Sequence, residues 1–184
     1  MVQANELNVK IFADGADLEG IRTLTKNPLV KGYTTNPTLM KQAGVKDYLA
    51  FSREVLGLID GAPISLEVFS DDFPEMRSQA LTLAALGPNV YVKIPVTNTK
   101  SESSASLVKN LASEGVKLNV TALFTPRQVE VVVDALERGP SSFVSVFAGR
   151  IADAGIDPVP IMTEALAIMR PHSQMELILS LIHI

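Results

Sequence analysis

Val90-Tyr91-Val92-Lys93-Ile94-Pro95-Val96-Thr97 reads as a buried strand with a single lysine set into it. Side chains alternate faces along a strand, so Val90, Val92 and Ile94 share one side while Tyr91 and Lys93 share the other. Burying an ammonium without a partner is costly, and desolvation favours the neutral amine that can attack a carbonyl. Lys93 is therefore a candidate Schiff-base nucleophile. Taken alone, a lysine at a strand end that reaches solvent is the plainer reading, and the flanking sequence has to decide.

Upstream, Asn8 to Asp14, Val30 to Asn36 and Ile64 to Phe69 are short β-type runs, and Val116 to Leu123, Phe143 to Phe147 and Glu176 to Leu181 continue the series downstream. Helical stretches fall between them. Asp17 precedes Leu18 to Thr25, a turn at Asn36-Pro37 leads to Asp47 to Ile59, and Asp71-Asp72 opens a helix that Gly87-Pro88 ends. Beyond the lysine strand, a polar loop from Thr97 to Ser104 leads to a helix that Gly115 breaks. Thr125, Pro126 and Gln128 have the form of a capping box, and Asp157-Pro158 starts another helix. Strand–helix alternation every 25 to 33 residues or so, roughly the length of a βα unit, predicts a parallel sheet in one domain spanning residues 1–184.

Two architectures fit that alternation: an open doubly wound sheet and a (β/α) barrel. No strand is followed by a Gly-x-Gly-x-x-Gly turn. Polar residues instead recur near the C-terminal end of nearly every strand, where a barrel gathers its chemistry, rather than at one switch point. The two-residue period selects Asp14, Thr34 with Asn36, Glu67, Lys93, Asn119 with Thr121, and Ser145, with Arg150 shortly after the sixth strand. Each has an ordinary explanation: Asp14 as a cap, Asn36 as an Asx turn before Pro37, Arg150 as a surface ion-pair partner. One such set per strand around a lysine favours a shared mouth.

Composition narrows the chemistry. The 184 residues carry a net charge of −4 with dispersed Lys and Arg, which argues against nucleic acid as a partner. With 47% apolar residues there is still no uncharged run approaching the roughly 20 residues of a membrane span, so the chain is expected to be soluble, unexported and not bound to membrane. There is no cysteine, and His172 and His183 lack clustered partners, so no metal site is expected. Asn119-Val120-Thr121 matches a glycosylation pattern that would require a secreted chain, and no nucleophile elbow or P-loop occurs.

Phe12 to Asp17 (Phe-Ala-Asp-Gly-Ala-Asp), Thr34 to Leu39 (Thr-Thr-Asn-Pro-Thr-Leu), Val92 to Pro95, Leu118 to Phe124 and Ser145 to Ile151 together resemble the motifs of the transaldolase family, in the family's order. The resemblance implies a (β/α)8 TIM barrel and a class I mechanism in which Lys93 forms an iminium with a ketose phosphate. Asp14 would take the C4-hydroxyl proton, and Glu67, through a water near Thr121, would move the protons of iminium formation and hydrolysis. Thr34, Asn36, Asn119 and Ser145 would hold the dihydroxyacetone piece, and Arg150 the phosphate. Phosphorylated sugars are the implied partners, in the cytoplasm and the pentose phosphate pathway, with homo-oligomerisation left open. No cofactor is implied, because the lysine iminium is itself the electron sink. Within the family, fructose-6-phosphate aldolases tend to carry glutamine where this chain has Glu67 and tyrosine where it has Phe147, so both positions side with transaldolase.

The end of the sequence departs from the family. After Glu176-Leu177-Ile178 a segment like Trp-Ala-Ser-Pro-Arg is expected, but Leu179-Ser180-Leu181-Ile182-His183-Ile184 follows, with His183 nearest the position of the second phosphate arginine. The resemblance thus implies about seven strands, with the last βα unit missing. A fragment that is inactive or aggregation-prone, and a barrel that binds a phosphosugar without turning it over, are the alternatives.

Overall fold

A computed structural model of the chain describes residues 8–181. Its elements are β1 (Ile11–Asp14), α1 (Leu18–Leu24), β2 (Val30–Thr34), α2 (Pro37–Gln42), α3 (Tyr48–Leu58), β3 (Ile64–Glu67), α4 (Phe73–Ala84), β4 (Val90–Pro95), α5 (Ala105–Ser113), β5 (Leu118–Leu123), α6 (Pro126–Leu136), β6 (Ser142–Val146), α7 (Ala148–Asp153), α8 (Pro158–Met169) and β7 (Met175–Leu179). Most helix starts follow from side chains that accept otherwise orphaned N–H groups. Asp17 accepts from Gly20, Asp47 from Ala50, Asp72 from Glu75 and Asp157 from Val159. Thr125 and Gln128 form the full reciprocal capping box at α6, with Pro126 at its first turn.

The strands form one seven-stranded parallel sheet in chain order, β1 to β7. Helices connect each strand to the next, which is the TIM-barrel architecture with seven strands among the described residues. The outward faces of the strands are apolar: Val92 and Ile94 of β4, Leu66 of β3, and Leu118 and Val120 of β5 are all 0% exposed beneath the helices. Burial on this scale is the main term that holds helices to sheet.

The inward faces stack in levels. Toward the N-terminal ends of the strands, Phe12, Tyr91 and Phe143 form an aromatic floor, with ring centroids 5.3 Å apart for Phe12–Phe143 and 4.2 Å for Tyr91–Phe143. Gly32 lies opposite Phe12 in register, and a Cβ there would fall 2.3 Å from the ring, so this strand position has room only for glycine. At the outer ends of the sheet, Lys10 donates to Glu176 of β7 at 2.6 Å, linking residues 166 positions apart.

Three features differ from the sequence reading. Asn36-Pro37 starts a helix of its own, α2, rather than a turn; Asn36 is its cap, one residue beyond Thr35 and off the end of β2. A second short helix, α7, follows β6 and carries Arg150. Strand β5 breaks register between Val120 and Leu123, with Ala122 in the left-handed region at φ 61°. His183 lies outside the described residues.

Candidate active site

Lys93 comes from the middle of the central strand, β4, and is 9% exposed. Its Nζ lies 3.0 Å from Glu67 Oε2 and 3.3 Å from the backbone oxygen of Thr35. The ion pair follows from register: Glu67 and Lys93 are partners across β3 and β4, and residues opposite one another share a face. Burial is the largest influence on the Glu67 carboxyl and pushes its pKa up; the Lys93 charge and hydrogen bond oppose this, and the Asp14 carboxylate adds to it. Asp14 therefore lies within electrostatic reach of the pair. Its Oδ1 accepts a hydrogen bond from the Thr34 hydroxyl at 2.8 Å, again between register partners.

Beside the amine and reaching toward the aromatic floor, a buried chain of hydrogen bonds links three strands, with Asn119 the register partner of Lys93 and Ser65 that of Tyr91. The Ser145 hydroxyl donates to Asn119 Oδ1 at 2.7 Å, and Asn119 Nδ2 donates to Ser65 Oγ at 2.8 Å. Thr121 follows Asn119 on the same face and is 1% exposed, and its hydroxyl has no protein partner among the described residues.

Of the ten residues selected from sequence, the structure thus brings Asp14, Thr34, Glu67, Lys93, Asn119, Thr121 and Ser145 to the inner face of the sheet. Asn36 spends its Oδ1 on the Leu39 N–H at the start of α2, which leaves its Nδ2 group as the free end of the amide. Phe147 closes β6 and packs edge-on against Phe124, with centroids 5.7 Å apart. Arg150 stands apart on α7; its side chain is 41% exposed and lies 3.6 Å from Asp153, the surface pairing that was its plainer reading.

Three contributors were not picked out from sequence. Ser65 is in phase with Glu67 on β3, so the same two-residue period applied one step back would have found it. The Thr35 carbonyl meets Lys93 through the main chain, which no side-chain pattern announces. Tyr48 of α3 donates its hydroxyl to the Glu67 carbonyl oxygen at 2.9 Å, anchoring the end of β3. Burial, then the Glu67 carboxylate, push the Tyr48 phenol well above its ordinary pKa, outweighing the hydrogen bond to the Glu67 main chain. Among the described residues no group of three or more His, Asp and Glu could hold a metal ion.

The family model described as transaldolase/fructose-6-phosphate aldolase matches residues 11–179. The chain belongs to this family. Among curated relatives, a probable transaldolase of Dehalococcoides mccartyi is 35% identical over 164 residues, covering 89% of this chain and 72% of the relative. A probable transaldolase of Clostridium perfringens is 37% identical over 164 residues, with the same coverage. Among solved structures, a monomeric dihydrodipicolinate synthase variant superposes with a TM-score of 0.63 at 12% identity, covering 92% of this chain and 62% of that one. The latter likeness concerns the fold alone. As a transaldolase/fructose-6-phosphate aldolase family member, the chain carries Glu67 and Lys93 on the adjacent strands β3 and β4 of the barrel sheet and Asp14 on β1.

Proposed function

We propose that the chain is a cytoplasmic, single-domain transaldolase of the pentose phosphate pathway, with Lys93 as the Schiff-base nucleophile. The observation that carries this reading is the 3.0 Å pairing of a buried lysine with a largely buried acid, with Asp14 within electrostatic reach. An ammonium cannot attack, so a proton must first leave Lys93, and Glu67, whose burial makes it a better base than an ordinary carboxylate, stands at hydrogen-bonding distance to take it.

The amine then adds to the C2 carbonyl of fructose 6-phosphate or sedoheptulose 7-phosphate. Water leaves as Glu67 returns the proton, and the iminium forms. Asp14 takes the C4-hydroxyl proton, the C3–C4 electron pair passes into the iminium, and the aldose phosphate departs, leaving an enamine on Lys93. Addition of the enamine to a second aldose phosphate forms the new bond, and hydrolysis frees the lysine. The unpartnered Thr121 hydroxyl can hold the water that Glu67 activates. Asn119, Ser145, Thr34 and the free end of Asn36 supply hydrogen bonds for the dihydroxyacetone unit, and the exposed Arg150 offers a planar fork to the phosphate.

A second reading, cleavage of fructose 6-phosphate to free dihydroxyacetone, stays within the same family. It is disfavoured because Phe147 puts no phenol proton donor at the end of β6. The test is borohydride reduction in the presence of fructose 6-phosphate. A covalent adduct on Lys93, absent from Lys93→Met, is the expected result; no adduct on a folded wild-type chain would remove the Schiff-base reading.

A further inference from the structure

We propose that Ser65 is a positioning residue that fixes the plane of the Asn119 amide for sugar binding, a role that rests on the Schiff-base reading of the mouth. Ser65 is 0% exposed, Asn119 1% and Ser145 3%, so the three groups have no water to fall back on. A carboxamide carries an acceptor at one end and two N–H donors at the other. Ser145 engages the acceptor end at 2.7 Å and Ser65 the donor end at 2.8 Å. With both ends held, rotation of the amide about its last torsion is blocked, and the second Nδ2 hydrogen keeps one direction.

The geometry explains why two serines are needed. Asn119 lies on β5 and Ser65 on β3, so their hydrogen bond passes over β4 on the inner face. On that face β4 presents Tyr91 and then Lys93, and Ser65 pairs in register with Tyr91, one level below the Glu67–Lys93 partners. Asn119 pairs in register with Lys93 itself, so the polar chain runs from beside the amine at Asn119 to one level beneath it at Ser65. Ser145 and Asn119 are the members proposed to touch the sugar, whereas Ser65 is sealed below them and acts only through the amide. Removing its hydroxyl leaves the Nδ2 end unpinned in a buried site, and the sugar must then order what the protein no longer does.

The test uses the whole chain and two readouts. In Ser65→Ala, the fructose 6-phosphate concentration that gives half-maximal borohydride trapping should rise about tenfold, with the saturating yield within about twofold of wild type. In an Asn119→Ala background, Ser65→Ala should add nothing further, because it acts through the missing amide. Independently of sugar, the side-chain NH2 resonance of Asn119, assigned by its loss in Asn119→Ala, should lose its protection from hydrogen exchange in Ser65→Ala. Ser65→Cys, which roughly keeps the volume but accepts hydrogen bonds weakly, should move both readouts the same way by less, and it carries the test should the alanine variant not fold.

Unchanged half-maximal trapping, additive effects in the double variant, or an amide that stays protected would each overturn the role of Ser65. Failure of the folded wild type to trap sugar would instead overturn the Schiff-base reading, and the amide resonance would then decide alone whether Ser65 holds Asn119.

Discussion

At the scale of single residues, the Glu67–Lys93 pair joins stability to chemistry. Burial raises the Glu67 pKa in the folded chain above that of an unfolded carboxylate, so between those two values the folded state binds the extra proton. Stability therefore falls as pH rises through that window, the reverse of the behaviour of a carboxylate whose pKa is lowered on folding. In urea unfolding at a series of pH values, the stability of wild type relative to Glu67→Gln should decline from the ordinary carboxylate range upward; a flat or rising difference would show that burial does not dominate at Glu67. The polar half of this site was legible in the sequence because Asp14, Glu67, Lys93, Asn119 and Ser145 break otherwise apolar runs at the inward phase. Ser65 escaped because a lone serine in Ile-Ser-Leu-Glu looks like any tolerated small residue, and the Thr35 carbonyl because main-chain groups are the same at every position.

At the scale of elements, the fit of β2 against β1 rests on an omitted side chain. A Cβ on Gly32 would meet the Phe12 ring at 2.3 to 2.7 Å, and that ring is itself held edge-on against Phe143. Gly32→Ala should cost about 1 to 3 kcal/mol by overpacking, read as a lower urea midpoint at unchanged slope. Adding Phe12→Leu should return part of the loss; full stability in Gly32→Ala alone would mean that the floor yields freely. The long elements were readable because caps and periodicity agree in them: Asp17, Asp47, Asp72, Thr125 and Asp157 all stand at the helix starts expected of them. The six-residue helices α2 and α7 were not, because fewer than two turns show no apolar period, and Asn36-Pro37 signals a turn and a helix start equally well. The bulge in β5 left no trace either, since alanine, the residue held at φ 61°, has no preference for that region to give it away.

At the scale of the molecule, the chain spans about seven-tenths of the length of the relatives it matches, at 72% of each. Across its described length, the outer strands communicate through Lys10 and Glu176 at 2.6 Å. Their side chains are 60% and 48% exposed, so water competes for both charges. Lys10→Ala should change unfolding free energy by less than about 1 kcal/mol, with the difference fading in added salt. A loss of several kcal/mol would instead make this pair a principal clasp of the sheet.

The chain-order pairing of the seven strands also bears on how such a sheet comes to exist. Every ladder joins a strand to the one made just before it, so each new segment leaving the ribosome finds a waiting template rather than a partner yet to be synthesised. Loop-closing distances stay short along the ladders, whereas contacts such as Phe12–Phe143 and Lys10–Glu176 must await most of the polypeptide. The lysine at the centre is thereby surrounded gradually: Glu67 is in place before Lys93 is translated, and its amide neighbour Asn119 arrives after it.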